Sequence, residues 1–167
     1  MKKKPERYLR ERGFVEPSEL PKGPNGRALC RFCKAVEVSP PKRTFCSDLC
    51  VHEFKIRSQA GYAREQVLQR DRGVCRTCGL DTEKLRQLLY RVKVEKGDDP
   101  YNDLLQHYEK TTGYRFDLQK HFFEVDHIRP VDWGGGSCGL DNLQTLCVSC
   151  HKTKTRRQRR MKTRGKR

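Results

Sequence analysis

"EVDHIRPVDWGGGSCGLDNLQTLCVSCHKTKT", residues 124–155, packs an Asp-His pair, four glycines, an Asn, three cysteines and a second His into one stretch. Apolar residues are sparse and glycines cluster, so this is not a core segment. Nearly every polar side chain in it can bind a metal ion or carry a proton. "HFFEVDHI" has the aromatic and β-branched residues of a strand, and "LQTLC" reads as a second, short strand. "WGGGSCGLDN" between them is a loop, because three consecutive glycines waste backbone entropy in any regular element. From Val148 onward the pattern predicts a helix that runs into a basic tail. The order is strand, loop, strand, helix.

Composition explains what must hold such a chain together. Of 167 residues, 34% are hydrophobic and 35% are charged. Hydrophobic burial alone leaves a chain this polar only marginally stable. Eight of the nine cysteines fall into four close pairs with two or three residues between them. That is zinc spacing, and four thiolates close a structural zinc site. Cys30, Cys33, Cys46 and Cys50 make one site by proximity. Cys75 and Cys78 then join Cys147 and Cys150, so that a metal staples the start of a segment to its end. His52, two residues after Cys50, is the alternative ligand there. Cys138 is left over and reads as a semi-buried small residue. "MKKKPERYLRER" has no apolar signal region, and no apolar run is long enough to span a membrane.

The net charge of +16 is concentrated at the ends. Residues 152–167 carry ten Lys or Arg and no acid, and residues 1–12 carry six bases against two acids. The remaining residues hold 21 bases and 19 acids. Cationic ends on a near-neutral body fit a polyanion partner, most often nucleic acid. A solubilising or nuclear-import tail is the blander reading.

The rest of the chain divides at its turn signals. Residues 1–29, basic and rich in Pro and Gly, read as a mostly disordered arm. "TFCSDLC" starts a helix with Ser47 as N-cap. Gly61 interrupts the helical pattern, and a second helix is expected from about 58 to 72, closed at Gly73. Asp81 can cap a helix whose Leu85, Leu88, Leu89 and Val92 share one face. "KGDDP" ends it, and 101–112 gives another short helix.

The decisive stretch can be read chemically. Hydrolysis of a phosphodiester needs an activated water, a Lewis acid on the phosphoryl and leaving oxygens, and donors for developing charge. His127 is the natural general base, since imidazole titrates near neutral pH. Strand alternation puts Asp126 and His127 on opposite faces, so one can meet a metal while the other meets water. His151 follows Cys150 in the first helical turn, where the structural metal fixes it. A carboxylate plus an imidazole, with open positions, suits one catalytic divalent ion, Mg²⁺ or Mn²⁺. Lys152, Lys154, Arg156 and Arg157, and more weakly Arg129, are phosphate candidates. Trp133 can stack on a base or wedge a junction, but packing beside the loop is the reading favoured for a Trp. His52, His107 and His121 lack partners in sequence and read as ordinary residues.

"VDHIRPVDWGGGSCGLDNLQTLCVSCHKTKT", with "RDRGVCRTCG" before it, resembles the active-site segment of HNH endonucleases, the zinc-stapled branch of the His-metal finger (ββα-metal) nucleases. The resemblance covers roughly residues 60–160. "TFCSDLCVHEFKIRSQAGYAREQV" with "FEVDHIRPV" and "GGGSCGLDNLQTLC" is similar, more narrowly, to the C-terminal nuclease region of eukaryotic Swi/Snf-type annealing helicases. These are DNA translocases with a Ran-binding-protein-type zinc finger that act at stalled replication forks. The resemblance implies that Asp126 and His151 bind the catalytic metal, that His127 is the base, and that Asn142 braces the loop and orients His127 through backbone hydrogen bonds.

The expected fold is therefore a small, zinc-stabilised α+β domain. It has a ββα-metal core, an extra four-cysteine knuckle and flanking helices. The expected organisation is an arm at 1–29, a zinc knuckle and helix at 30–57, a nuclease domain at 58–157 with a helical insertion at about 81–121, and a basic tail at 158–167. The function that the resemblance implies is metal-dependent DNA endonuclease action, selective for branched or fork DNA in replication and repair. A nucleic-acid-binding zinc module with a silent nuclease site is the alternative, and a protein-interaction module docking through the first knuckle is a third. There is no room for a motor domain, so the chain is a fragment or a free-standing relative. Helicase or fork proteins are the expected partners beside DNA, and the expected place is the nucleus in a eukaryote or otherwise inside the cell with DNA.

Overall fold

The computed structural model of the chain describes residues 15–113 and 122–164. Residues 1–14 of the expected arm, and His121, lie outside the described residues. By its internal packing the chain divides into two units, Met1–Ala63 with Ser137–Asp141 and Arg64–Gly136 with Asn142–Arg167. The expected boundary at 57/58 lies at the end of the first helix, a few residues before this division. No helix among the described residues is long and apolar enough to cross a membrane.

In the first unit, helix α1 (Asp48–Ser58) starts where Ser47 predicts, with the Ser47 hydroxyl accepting from Cys50 N at 3.1 Å. Cys30, Val38 and Cys50 form its small core, with Phe32 and Phe45 against them. Arg31 lies over the Phe54 ring at 4.4 Å. Residues 15–29 do not follow the expectation of a disordered arm. Ala28 is buried and bridges Lys22, Leu29 bridges Glu37, and the Glu37 carboxylate accepts from Asn25 N and Nδ2. The Pro and Gly that suggested disorder make a tight turn, and a side chain on Gly23 would collide with Glu37. The break after α1 falls at Gln59, one residue before α2 (Ala60–Asp71), so Gly61 sits inside the next helix rather than between helices.

The second unit is built on a two-stranded antiparallel sheet, β1 (Phe123–His127) paired with β2 (Leu143–Cys147). The register sets Phe123 opposite Cys147, Asp126 opposite Gln144 and His127 opposite Leu143. All five β2 residues are buried, so a two-stranded ribbon that would be unstable alone is here covered on both sides. Its outer backbone groups are satisfied by α2 and the turn after it. Arg64 donates to Phe123 O at 2.6 Å, Arg70 to Leu143 O at 2.8 Å, and the Asp71 carboxylate accepts from Thr145 N at 3.1 Å. Arg76 N donates to Thr145 O at 2.9 Å. These bonds occupy the edges that another strand would otherwise join.

Helix α3 (Thr82–Lys96) is capped by Asp81, whose carboxylate accepts from Lys84 N at 2.9 Å. It stops at Gly97, whose φ of 85° lies in the region that glycine reaches without strain. Helix α4 (Asp98–Thr112) begins earlier than its apolar face suggests, because Asp98 and Asp99 suit a helix start and Pro100 is tolerated in a first turn. Leu89, Tyr101 and Phe122 close the core of this helical hairpin, with Leu85, Val92, Leu104 and Leu105 around them. Helix α5 (Val148–Arg164) follows β2 directly and packs on both strands. It carries the helix through most of the expected basic tail.

Candidate active site

Asp126 and His127 end β1, and both are half-buried. The Asp126 carboxylate is held twice. Its Oδ1 accepts from His127 N at 2.9 Å, and its Oδ2 meets the Lys154 ammonium of α5. Lys154 also donates to the His127 carbonyl oxygen. The ammonium is therefore seated between a carboxylate and a carbonyl at the strand end. His151 and Lys154 are three residues apart on α5 and so share a face. Both are half-buried. His151 is placed by the start of the helix, where Cys150 N donates to Cys147 Sγ at 3.5 Å.

Asn142 clamps the loop on both sides. Its Oδ1 accepts from Arg129 N at 2.8 Å, while its Nδ2 donates to Arg129 O at 3.2 Å and to Gly135 O at 2.9 Å. Ile128 N donates to the Asn142 carbonyl at 2.8 Å. The clamp fixes the chain just after His127 rather than the imidazole itself. It also explains the glycines. A Cβ on Gly135 would lie 1.8 Å from Arg129 O, and Gly134 has φ of 84°. The loop closes that tightly only with glycine in those two places.

Two cysteine quartets form, Cys30/Cys33/Cys46/Cys50 and Cys75/Cys78/Cys147/Cys150, each with its Sγ atoms within 4.8 Å of one another. Within them Cys46–Cys50 is 3.4 Å, Cys33–Cys46 3.8 Å and Cys78–Cys147 3.7 Å. A tetrahedron of sulfurs around a metal at about 2.3 Å has an edge of about 3.8 Å, so both quartets fit one ion of that kind. Burial works against a thiolate at Cys30 and Cys75, but backbone N–H groups bring each down to about 7. Burial and the neighbouring thiols push Cys46 up to about 12 and Cys150 well up. Cys30 and Cys75 therefore form thiolates readily, whereas Cys46 and Cys150 give up their protons in favour of a bound cation. His52 takes no part, its ring bonding the Tyr62 hydroxyl at 2.8 Å.

The structure separates the cations that the sequence groups together. Lys152, Arg156, Arg157 and Arg129 are exposed, as phosphate contacts require. Lys154 is not one of them, since its side chain is only 23% exposed and is turned onto Asp126. Trp133 corrects another expectation. It is 51% exposed on the turn Val131–Trp133 and does not pack beneath the loop. Arg64, Arg70 and Asp71, which secure the strands carrying the site, had no assigned role. The signal was the Arg-Asp pair directly before the first cysteine knuckle of this unit, where a helix end has to meet a strand.

A strand ending in Asp-His, a glycine loop clamped by Asn, and a helix that opens with Cys-His at a cysteine quartet able to hold a metal define a nuclease class. The model of the HNH endonuclease family matches residues 113–157. The chain carries a domain of that family. Among its relatives is the DNA annealing helicase and endonuclease ZRANB3 of Mus musculus, 38% identical over 154 residues, which are 80% of this chain and 14% of that protein. The Homo sapiens protein of the same name is 36% identical over 142 residues, 77% of this chain and 12% of its own length. The chain thus spans only a small part of these relatives. The crystal structure of the human ZRANB3 HNH domain is 30% identical, with 65% of this chain and 97% of that one covered and a TM-score of 0.43.

Proposed function

We propose that this chain is a metal-dependent endonuclease that hydrolyses phosphodiester bonds in DNA, with zinc in both cysteine quartets. The observation that carries the reading is the meeting of the β1 end with the first turns of α5, where Lys154 reaches both Asp126 and the His127 carbonyl. On that basis we read the Asp-His pair, the Asn142 clamp and His151 as one site. Asp126 and His151 supply the oxygen and nitrogen donors that suit one catalytic divalent ion, and the oxygen already attracts a cation in the form of the Lys154 ammonium. Such an ion, when bound, supplies Lewis acidity at the phosphate.

The chain's own residues do the rest. His127 takes the proton from the attacking water at its imidazole. Asn142 and the glycine turn keep the backbone after His127 from shifting, which holds the base in position. Lys152, Arg156, Arg157 and Arg129 hold flanking phosphates and set register without reading sequence. The named activity of the relatives, DNA annealing helicase and endonuclease, supports DNA as the substrate. The helicase in that name supports a helicase partner, and branched or fork DNA is the substrate form we propose.

A second reading, a nucleic-acid-binding module with a silent site, has one observation in its favour. The Lys154 ammonium already neutralises Asp126. The two readings part in a nicking assay on supercoiled plasmid with Mg²⁺ or Mn²⁺, wild type beside His127→Ala. Nicking by wild type and a loss of about 10²–10⁴-fold in the variant support the nuclease. Equal activity, or none in either protein with DNA still bound, supports the silent module.

A further inference from the structure

Trp133 is the chain's single tryptophan, and half of its surface faces solvent. Val131, on the same turn, is 57% exposed. A Trp is costly to leave exposed, and its indole could have been turned inward only if the turn were free to roll. The turn is not free. Trp133 N donates to Pro130 O at 2.9 Å, Gly134 N to Val131 O at 3.0 Å and Gly135 N to Pro130 O at 2.9 Å. The Asn142 clamp holds Arg129 and Gly135 on either side. The same bonds that fix the backbone after His127 therefore fix the backbone that carries a half-exposed indole six residues further on.

The surroundings of this turn are cationic. The Asp132 carboxylate, the turn's one acid, is taken up by Lys162 of α5. That ion pair brings the acid-free, basic part of α5 to the edge of the turn. Arg129 is exposed beside it, and its guanidinium lies 3.4 Å from where a Cβ on Gly134 would be. A half-exposed aromatic face on a fixed turn, flanked by cations that track a backbone, is the arrangement that binds unpaired nucleotides, because each base has a π-face while the phosphates supply the charge. Bases in a closed duplex present no free face to it.

We infer that Trp133 is a stacking platform for one unpaired base of the DNA substrate, so that the chain favours DNA with a single-stranded element beside the bond it cuts. This rests on the DNA endonuclease reading and narrows its substrate to single-stranded arms, gaps and branches. Trp133 acts on substrate choice and holds no reacting atom.

The single tryptophan makes the test direct. The full chain carrying His127→Ala, without added Mg²⁺ or Mn²⁺, is titrated at fixed salt with a dT oligonucleotide, a blunt duplex and a forked duplex. Intrinsic fluorescence is read beside the anisotropy of labelled DNA. Stacking predicts quenching by the oligonucleotide and the fork, with a blunt duplex binding without comparable quenching. Trp133→Ala in the same background should weaken the oligonucleotide and fork by about tenfold, as loss of one stacked base does. Duplex affinity should change far less, and Trp133→Phe should recover most of the loss. Circular dichroism and metal content establish that each variant is folded. Equal quenching by blunt duplex, or an unchanged oligonucleotide affinity in folded Trp133→Ala, overturns the inference while leaving the endonuclease reading intact. Absence of any DNA binding overturns both, and absence of cleavage in the wild type overturns only the nuclease.

Discussion

Asp126 cannot serve two cations at once. Its Oδ2 meets the Lys154 ammonium, and the two side chains are only 20% and 23% exposed. A divalent ion on that oxygen must displace the ammonium. Removing the ammonium should therefore tighten metal binding. We expect Lys154→Met to raise Mn²⁺ affinity about fivefold by calorimetry without DNA, roughly the value of one such ion pair. Unchanged or weaker binding would mean that Lys154 supports the metal instead of competing with it. Gly135→Ala tests the other half of the site. A Cβ there meets the Arg129 carbonyl at 1.8 Å, so the variant should keep its zinc content yet lose most cleavage through displacement of the clamped turn. Full activity in that variant would show that the turn's geometry does not matter. Asp126, His127 and His151 were legible in the sequence as candidates, because their residue types and order are unusual. Lys154 was not, because among alternating cations on one helix only the fold decides which of them turns inward.

At the scale of elements, the two strands depend on α2 for their outer hydrogen bonds. Asp71 is the centre of this. Burial opposes its charged form, but the Arg70 side chain and Thr145 N–H more than offset that, and the carboxyl titrates below the usual range. A depressed folded pKa contributes stability that is present above the unfolded value near ~3.9 and is lost as pH falls through the folded value. Asp71→Asn should therefore cost about 2 kcal/mol at neutral pH, the scale of a charged hydrogen bond. The gap from wild type should close below about pH 4, which denaturant melts at several pH values can measure. A pH-independent gap would place the Asp71 contribution elsewhere. Caps were easy to read at this scale. Ser47 and Asp81 start helices, and Gly97 stops one, because each does so by a local bond or a permitted φ. Long-range bonds were not, and the Arg70–Leu143 bond joins residues with no pattern between them. Residues 15–29 misled for a related reason, since Pro and Gly mark tight turns as readily as disorder.

For the whole molecule, apolar burial is limited, and the proposed zinc ions would carry part of the fold. Two zinc ions per chain are expected by elemental analysis, and Cys147→Ser should unfold the second unit, because the metal's binding free energy is folding free energy. About one zinc per chain, or a fully folded Cys147→Ser, contradicts the pairing. We propose that the acid-free α5 supplies DNA affinity of a general kind. Truncation after residue 157 should weaken all DNAs alike and reduce the log–log salt slope by about 0.9 for each phosphate that the tail no longer neutralises. An unchanged slope would mean that the tail does not touch phosphate.

The central claim is that His127 moves a proton while Asp126 and His151 hold the ion. Cleavage by His127→Ala, Asp126→Ala and His151→Ala across a Mn²⁺ titration, with DNA binding followed in parallel, tests it most directly. High Mn²⁺ should partly restore the two ligand variants by mass action and leave His127→Ala inactive, with all three still binding DNA. Rescue of His127→Ala but not of His151→Ala would reverse the assigned roles, and wild-type cleavage by His127→Ala would remove the active site as described.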